Sequence, residues 1–180
     1  MDNLLKMKKL SRNFYWMLSF LVVIIPLYYA CYWIFINNLP ETFININTYP
    51  TPLIPHELPT SLQLIGFLTS LFPLSALVYV VLNIRKLFAF YKEGEIFSFE
   101  HVRLFKQTAK ALVLWAILSI VYESAKSVIF SVGNPPGSRV ISVGLTSAEI
   151  TTLLVGGIVF IIAWVMDEGR ILSEENKLTV

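Results

Sequence analysis

Residues 14–36 read FYWMLSFLVVIIPLYYACYWIFI and contain no Asp, Glu, Lys or Arg over 23 residues. An α-helix of this length covers about 34 Å, which is enough to cross a hydrocarbon core of about 30 Å. A secretory signal peptide has a shorter apolar part and a small-residue cleavage site, and this run has neither feature. The run therefore predicts a retained membrane-spanning helix.

Three further apolar runs follow along the chain. The second, 62–84, and the fourth, 150–166, are free of charge, whereas the third, 111–130, carries one acidic and one basic residue. Flanking residues continue the helical pattern of each run. We predict an all-α membrane protein, a bundle of four transmembrane helices in a single domain that covers residues 1–180. The predicted helices are about 14–37, 62–91, 98–130 and 146–172.

The composition is that of a membrane protein. Charged residues make up 14% of the chain, against about 25% in a typical soluble domain, and the mean hydropathy is +0.67. A net charge of +2 gives no reason to expect direct nucleic-acid binding. The single cysteine, Cys31, excludes an intramolecular disulfide.

The basic residues give the predicted helices a direction. Twelve of the 14 Lys and Arg residues fall before the first run, between the second and third, or after the fourth. Positive charges mark the cytoplasmic side, so both termini and the tail 167–180 are predicted to be cytoplasmic. The outer loop, 38–61, then contains no Lys or Arg and five of the nine prolines. Prolines restrict the backbone, so we expect this loop to be extended and stiff.

A pair of charges inside the third run is the sharpest chemical feature. Glu123 and Lys126 are three residues apart, so a helix presents them on one face, where they can pair. An ionisable residue inside a span is costly and marks a functional site by default. Glu123 lies about 20 Å along the helix from Lys110, in the outer half of the membrane.

Two interpretations of this pair stay open. The first is an ion pair near the outer interface, with Lys126 extending to water. The second is an outer polar cavity that binds a ligand, with a contribution from Glu149. Glu149 has a structural alternative of its own, because Thr146-Ser147-Ala148-Glu149 fits a capping box at the start of the fourth helix.

The sequence gives no positive reason to expect an enzyme. It contains no nucleophile elbow, phosphate-binding loop, zinc-protease helix or paired intramembrane aspartates. His56 and Glu57 offer a metal only two ligands, which are too few for a site. We therefore expect no catalytic residue, no metal and no cofactor.

Two segments resemble a known family. Gly94-Glu95-Ile96-Phe97-Ser98 is similar to a Gly-x-x-Phe-Ser segment, and Glu174-Glu175-Asn176-Lys177-Leu178-Thr179-Val180 is similar to a tail ending Glu-Asn-Asp-Leu-Thr-Val. Both occur in the YoaS-like proteins, a bacterial membrane family of unknown function. Lys177 departs from the pattern, which has an acid there. The resemblance implies a multi-pass protein of the bacterial inner membrane and carries no catalytic or binding residue with it.

Both family-like segments fall on the predicted cytoplasmic side. We expect residues there to act as structural or partner contacts: Gly94, Phe97, Ser98, Arg103, Glu174, Glu175 and Asn176. Opposite charges suggest that the tail folds back against the basic segment between the second and third helices.

Two functions compete. The first is a non-enzymatic module that senses or binds a protein partner or a lipid-like molecule. The second is a small transporter or a resistance or immunity component that acts as a homo-oligomer. The expected partners are the lipid bilayer and either a second protein or further copies of the chain.

Overall fold

The computed structural model describes residues 2–40, 44, 57–94 and 98–178, and within them the side chains of 4–172. This part of the chain contains four α-helices and a short 3₁₀ helix, and no strand. The helices are α1 (Asp2–Ile34), the 3₁₀ helix (Ile36–Asn38), α2 (Thr60–Glu93), α3 (Phe99–Ser131) and α4 (Ser147–Leu178).

Each α-helix is long and apolar enough to cross a membrane. The candidate spans cover 31, 34, 33 and 26 residues in chain order, and a hydrocarbon core requires about 20. The predicted class, an all-α membrane protein with four such helices, is confirmed. The extra length lies at the helix ends, which hold most of the charged residues, whereas Glu123 and Lys126 lie inside the third apolar run.

The helices pack in chain order. Extensive contacts join α1 to α2, α2 to α3, and α3 to α4, and the described residues form no comparable contact between α4 and either α1 or α2. The bundle is therefore open. Burial follows from this order, since 39% of the most apolar segment of α2 and 33% of that of α3 is buried, against 11% for α1 and 17% for α4.

Because successive helices run in opposite directions, the molecule has two distinct ends. We call one the basic end: it holds the start of α1, the end of α2, the start of α3 and the end of α4. Lys8 lies against Gly94 there, and Lys106 reaches Asp167. We call the other the aromatic end, where Trp33, Tyr122 and Phe130 are buried together.

The first helix is longer than its apolar run. The sequence places it at about 14–37, whereas α1 begins at Asp2 and ends at Ile34. Residues 2–13 contain no Gly or Pro and are rich in Leu and Lys, which favour helix, so the helix extends back through the basic segment. Both internal prolines, Pro26 and Pro73, lie inside continuous helices.

The second helix stops at a glycine, as the sequence indicates. Gly94 has a φ of 94°, and its N–H donates to the carbonyls of Phe90 and Tyr91, both at 3.1 Å. Only glycine adopts this left-handed conformation without strain, so it ends α2 and turns the chain toward α3.

One side chain joins the two ends of the Pro-rich loop. Asn37 accepts from the N–H of Leu58 at 2.9 Å and donates to its carbonyl at 3.0 Å. Gln63 also donates to the carbonyl of Leu58, at 2.9 Å. The loop therefore leaves and returns at one point on the aromatic end. Residues 41–43 and 45–56 of this loop, which the sequence predicts to be extended and stiff, lie outside the described residues.

The loop between α3 and α4 lies along α3. It begins with the predicted turn, where the N–H of Ser138 donates to the carbonyl of Pro135 at 3.0 Å. The chain then runs beside two serines of α3. The N–H of Ser142 donates to Ser127 Oγ at 2.9 Å, and Ser131 Oγ exchanges hydrogen bonds with the backbone of Val140.

Candidate functional site

Trp33 is the centre of the aromatic end. It is 1% exposed and lies at the last turn of α1. Its ring stacks on Phe130 with centroids 6.2 Å apart, and Nε1 donates to the hydroxyl of Tyr122 at 3.0 Å. Its benzene edge lies over Gly66, where an added methyl group would overlap the indole. Trp33 thus contacts both neighbouring helices, α2 and α3.

An apolar cavity lies against Trp33, between α1 and α2. It has a volume of about 180 Å³. A cavity of about 150 Å³ holds a benzene-sized apolar molecule, so this one has room for a small ring or part of an alkyl chain. Its lining is apolar except for two polar residues of the first turn of α2. The lining residues are Ala30, Trp33, Ile34, Thr60, Gln63, Leu64 and Phe67.

The pair that the sequence singles out lies next to this cluster. Lys126 Nζ is 2.6 Å from Glu123 Oε1 and 5.2 Å from the centre of the Tyr122 ring. The side chain of Lys126 is 8% exposed, so its ammonium stays within the protein and does not extend to water. The second carboxylate oxygen, Glu123 Oε2, is buried without a hydrogen-bond partner among the described residues. A buried acceptor without a donor costs free energy, so this oxygen is a place where a ligand's donor group would be stabilised.

Glu149 performs the capping function. Its Oε2 accepts from the N–H of Thr146 at 2.8 Å and from the Thr146 hydroxyl, and that hydroxyl accepts from the N–H of Ala148 at 3.2 Å. This is the reciprocal arrangement of a capping box. The carboxylate also lies within electrostatic reach of Lys126. Glu149 therefore starts α4 and places a negative charge near the Glu123–Lys126 pair.

Two phenols of α1 lie near the pair. Tyr29 and Tyr32 both lie within electrostatic reach of Glu123, and Tyr32 packs edge-on against Trp33 with centroids 5.6 Å apart. Tyr28 points outward and is 63% exposed. The aromatic end is therefore a layer of indole and phenol groups with one ion pair at its edge.

The predicted contact residues at the basic end serve local structure. Ser98 is the residue before α3, but its hydroxyl makes no capping bond to the backbone. It bonds instead to His101 Nδ1 at 2.7 Å. His101 is fully buried beside the rings of Phe90 and Tyr91. Arg103 is exposed and lies 3.6 Å from Glu100. Phe97 lies outside the described residues.

An ion pair that the sequence did not single out joins α3 to α4. Lys106 Nζ is 2.9 Å from Asp167 Oδ2, and Arg170 is 3.3 Å from Asp167 Oδ1. The local pair, Asp167 with Arg170, follows from their spacing. The contact with α3 is made by Asp167 within α4, and α4 continues as one helix to Leu178, where the sequence suggested a tail that folds back. The side chains of Glu174, Glu175 and Asn176 lie outside the described ones.

Tyr15 connects α1 to α2 at the same end. Arg85 donates to the Tyr15 hydroxyl at 2.8 Å and lies 4.8 Å above its ring, and Lys92 lies 4.8 Å from the same ring. This contact was not predicted from the sequence, because a Tyr near the end of a span commonly lies at the membrane–water interface without a specific partner. The available signal was the presence of two cations, Arg85 and Lys92, at the end of the following helix, where they can contact an aromatic ring.

The described residues contain no group of three or more His, Cys, Asp or Glu side chains that could hold a metal ion.

Comparison with models of known families agrees with the sequence resemblance in one respect, namely that the matching family has no known function. The model of a family described as "Protein of unknown function (DUF2975)" matches residues 15–180, and the chain belongs to that family. No curated protein matches the chain, and no solved structure does.

Proposed function

We propose that this protein is a non-enzymatic membrane module that binds a small lipid-like molecule at its aromatic end. One observation carries the proposal: Trp33 forms a wall of the apolar cavity and also donates a hydrogen bond to Tyr122 on α3. A molecule that enters between α1 and α2 must contact the indole. Any shift of the indole then changes a bond to a third helix, which is the coupling that a sensor requires.

The residues that line the cavity indicate which kind of ligand it can bind. Apolar side chains form most of the lining, and Thr60 and Gln63 stand at the start of α2. The ligand is therefore a short apolar chain or ring with one polar group. Partners of the resulting module are the bilayer, and either a second protein or further copies of the chain, with no nucleic acid involved.

The finer placement of the protein belongs to this proposal. We infer a YoaS-like multi-pass protein of the bacterial inner membrane with both termini in the cytoplasm. Support comes from the basic end, since the segments that hold twelve of the 14 Lys and Arg residues all adjoin it. Positive charge accumulates on the cytoplasmic side of membrane proteins. The aromatic end then faces outward.

Fluorescence quenching tests the binding proposal. Trp16, Trp115 and Trp164 are replaced by Phe, which leaves Trp33 as the only tryptophan, and bromooctanol serves as the probe. We expect saturable quenching, because bromine in the cavity contacts the indole. Ala30→Phe fills the cavity and should abolish saturation. Cys31→Phe adds the same ring at an exposed position and should not. Linear, non-saturating quenching in the parent protein would overturn the proposal.

The unpartnered oxygen of Glu123 favours a second candidate, a small transporter coupled to protons. Ionisable residues inside membrane spans commonly mark ion or proton pathways. In proteoliposomes with a pH-sensitive dye, such a transporter should dissipate a pH gradient, and Glu123→Gln should stop it. Glu100→Gln, the same change at an exposed site of the basic end, is the control. No proton flux in the parent protein removes this candidate.

A further inference from the structure

A groove between α2 and α3 near the basic end has no part in the site above. It has a volume of about 410 Å³, within the range of ligand sites. We call it the α2–α3 groove. Its lining includes Tyr79, Lys86 and Ala89 of α2 and Glu100, Arg103 and Gln107 of α3.

The charges of the groove favour an anion. Lys86 is exposed and forms no ion pair or hydrogen bond with a described residue. The Arg103–Glu100 pair is long, at 3.6 Å, and its side chains are 58% and 49% exposed, so it holds the guanidinium weakly. Two cations therefore face one carboxylate, and Gln107 adds a neutral donor on the next turn of α3.

The position of the groove relative to the membrane indicates where the anion comes from. Lys86 is the second residue after the charge-free run 62–84 and follows Arg85, so it lies at the boundary of the apolar core. Tyr79 lies seven residues earlier on the same face of α2, about 10 Å deeper. The groove is thus basic at the level of lipid headgroups and continues to a half-exposed phenol at the level of the acyl chains.

We propose that the α2–α3 groove binds the headgroup of an anionic phospholipid. The phosphate lies between Lys86 and Arg103, and the acylated glycerol backbone of the lipid lies toward Tyr79. Basic pockets between membrane helices bind such headgroups. The lipid would link α2 to α3 where the chain between these helices is short. A free phosphate offers the same charge but has no acyl chain to occupy the deeper part.

Native mass spectrometry of the full chain in detergent tests this proposal with phosphatidylglycerol and phosphatidylcholine. We expect retained phosphatidylglycerol, and an affinity about tenfold or more lower in the double variant Lys86→Gln/Arg103→Gln. Lys9→Gln/Arg12→Gln removes the same charge from exposed positions of α1 and should leave retention unchanged. Equal loss in both double variants would show diffuse surface attraction and overturn the proposal.

One single variant gives a result that misfolding does not mimic, and a second tests the shape of the groove. Glu100→Gln removes the one carboxylate and should raise phosphatidylglycerol retention severalfold. Ala89→Leu narrows the groove without changing its charge and should lower retention. Unchanged retention in either variant contradicts the proposal, and so does displacement of the lipid by millimolar inorganic phosphate.

Discussion

The two ends of the molecule join their helices by different means. At the aromatic end, buried rings interlock and one hydrogen bond connects Trp33 to Tyr122. At the basic end, His101 packs on the rings of Phe90 and Tyr91, and partly exposed charges add contacts between helices, through Lys106 with Asp167 and Arg85 with Tyr15. Dispersion and buried hydrogen bonds are insensitive to salt, whereas exposed ion pairs are screened. The contacts of the aromatic end should therefore be insensitive to salt, whereas those of the basic end should weaken as the salt concentration rises.

The largest effect should come from the centre of the aromatic end. Trp33→Ala removes a side chain that is 1% exposed and leaves a void against two helices. We expect a loss of about 3–5 kcal/mol in the free energy of unfolding, measured by denaturant titration in detergent. Trp16→Ala is the control, since Trp16 is 68% exposed on the same helix. Equal losses in the two variants would mean that Trp33 does not connect the helices.

A smaller loss should follow from adding one methyl group beneath the indole. Gly66→Ala places that group in the volume of the Trp33 ring, and overpacking costs about 1–3 kcal/mol. Gly157→Ala is matched, because an added methyl meets nothing within 4 Å there. We expect a lower melting temperature for the first variant only. If Gly66→Ala melts with the parent protein, the indole does not lie on Gly66.

Removal of a single hydroxyl should cost less again. Tyr122→Phe leaves the Trp33 N–H without its acceptor while the ring packing remains, which costs about 1 kcal/mol. The indole emission should also shift, because its N–H loses a partner. Tyr79→Phe, which removes a hydroxyl from the half-exposed phenol near the basic end, serves as the comparison. An unshifted spectrum would contradict the bond.

The smallest effect should come from the ion pair at the basic end. Lys106→Gln and Asp167→Asn break one contact between α3 and α4 whose side chains are 38% and 26% exposed. A double-mutant cycle should give a coupling smaller than the loss in Tyr122→Phe. Raising the salt concentration should reduce this coupling and leave the Trp33→Ala effect unchanged. A salt-independent coupling would remove the contrast between the two ends.

The number and type of helices were predictable from the sequence, because each apolar run is long enough to require a span. The stop at Gly94 and the capping box at Glu149 were predictable too, since both are local and depend on residue type at fixed spacing. The pairing of Glu123 with Lys126 follows from the same kind of local rule.

Contacts between helices were not predictable in this way. Trp33 and Tyr122 are 89 positions apart, and many aromatic residues lie near the span ends. Gly66 is the only glycine in its run, which was a signal for close approach, but nothing in the sequence names Trp33 as the group that approaches. Lys106 had several acidic candidates, and the helical course of α4 brings Asp167 opposite it. The burial of Asn83, a polar residue of α2 that is 1% exposed, was not predicted from the sequence either.

Packing in chain order has a consequence for how the protein is made. A ribosome releases α1 first and α4 last, and each helix packs mainly on the one synthesised just before it. Each new segment that leaves the insertion machinery thus meets a neighbour already in the bilayer. The described helices therefore rely mainly on neighbours in the chain. Trp33 is an exception, because its contacts with Tyr122 and Phe130 form only once α3 has been translated.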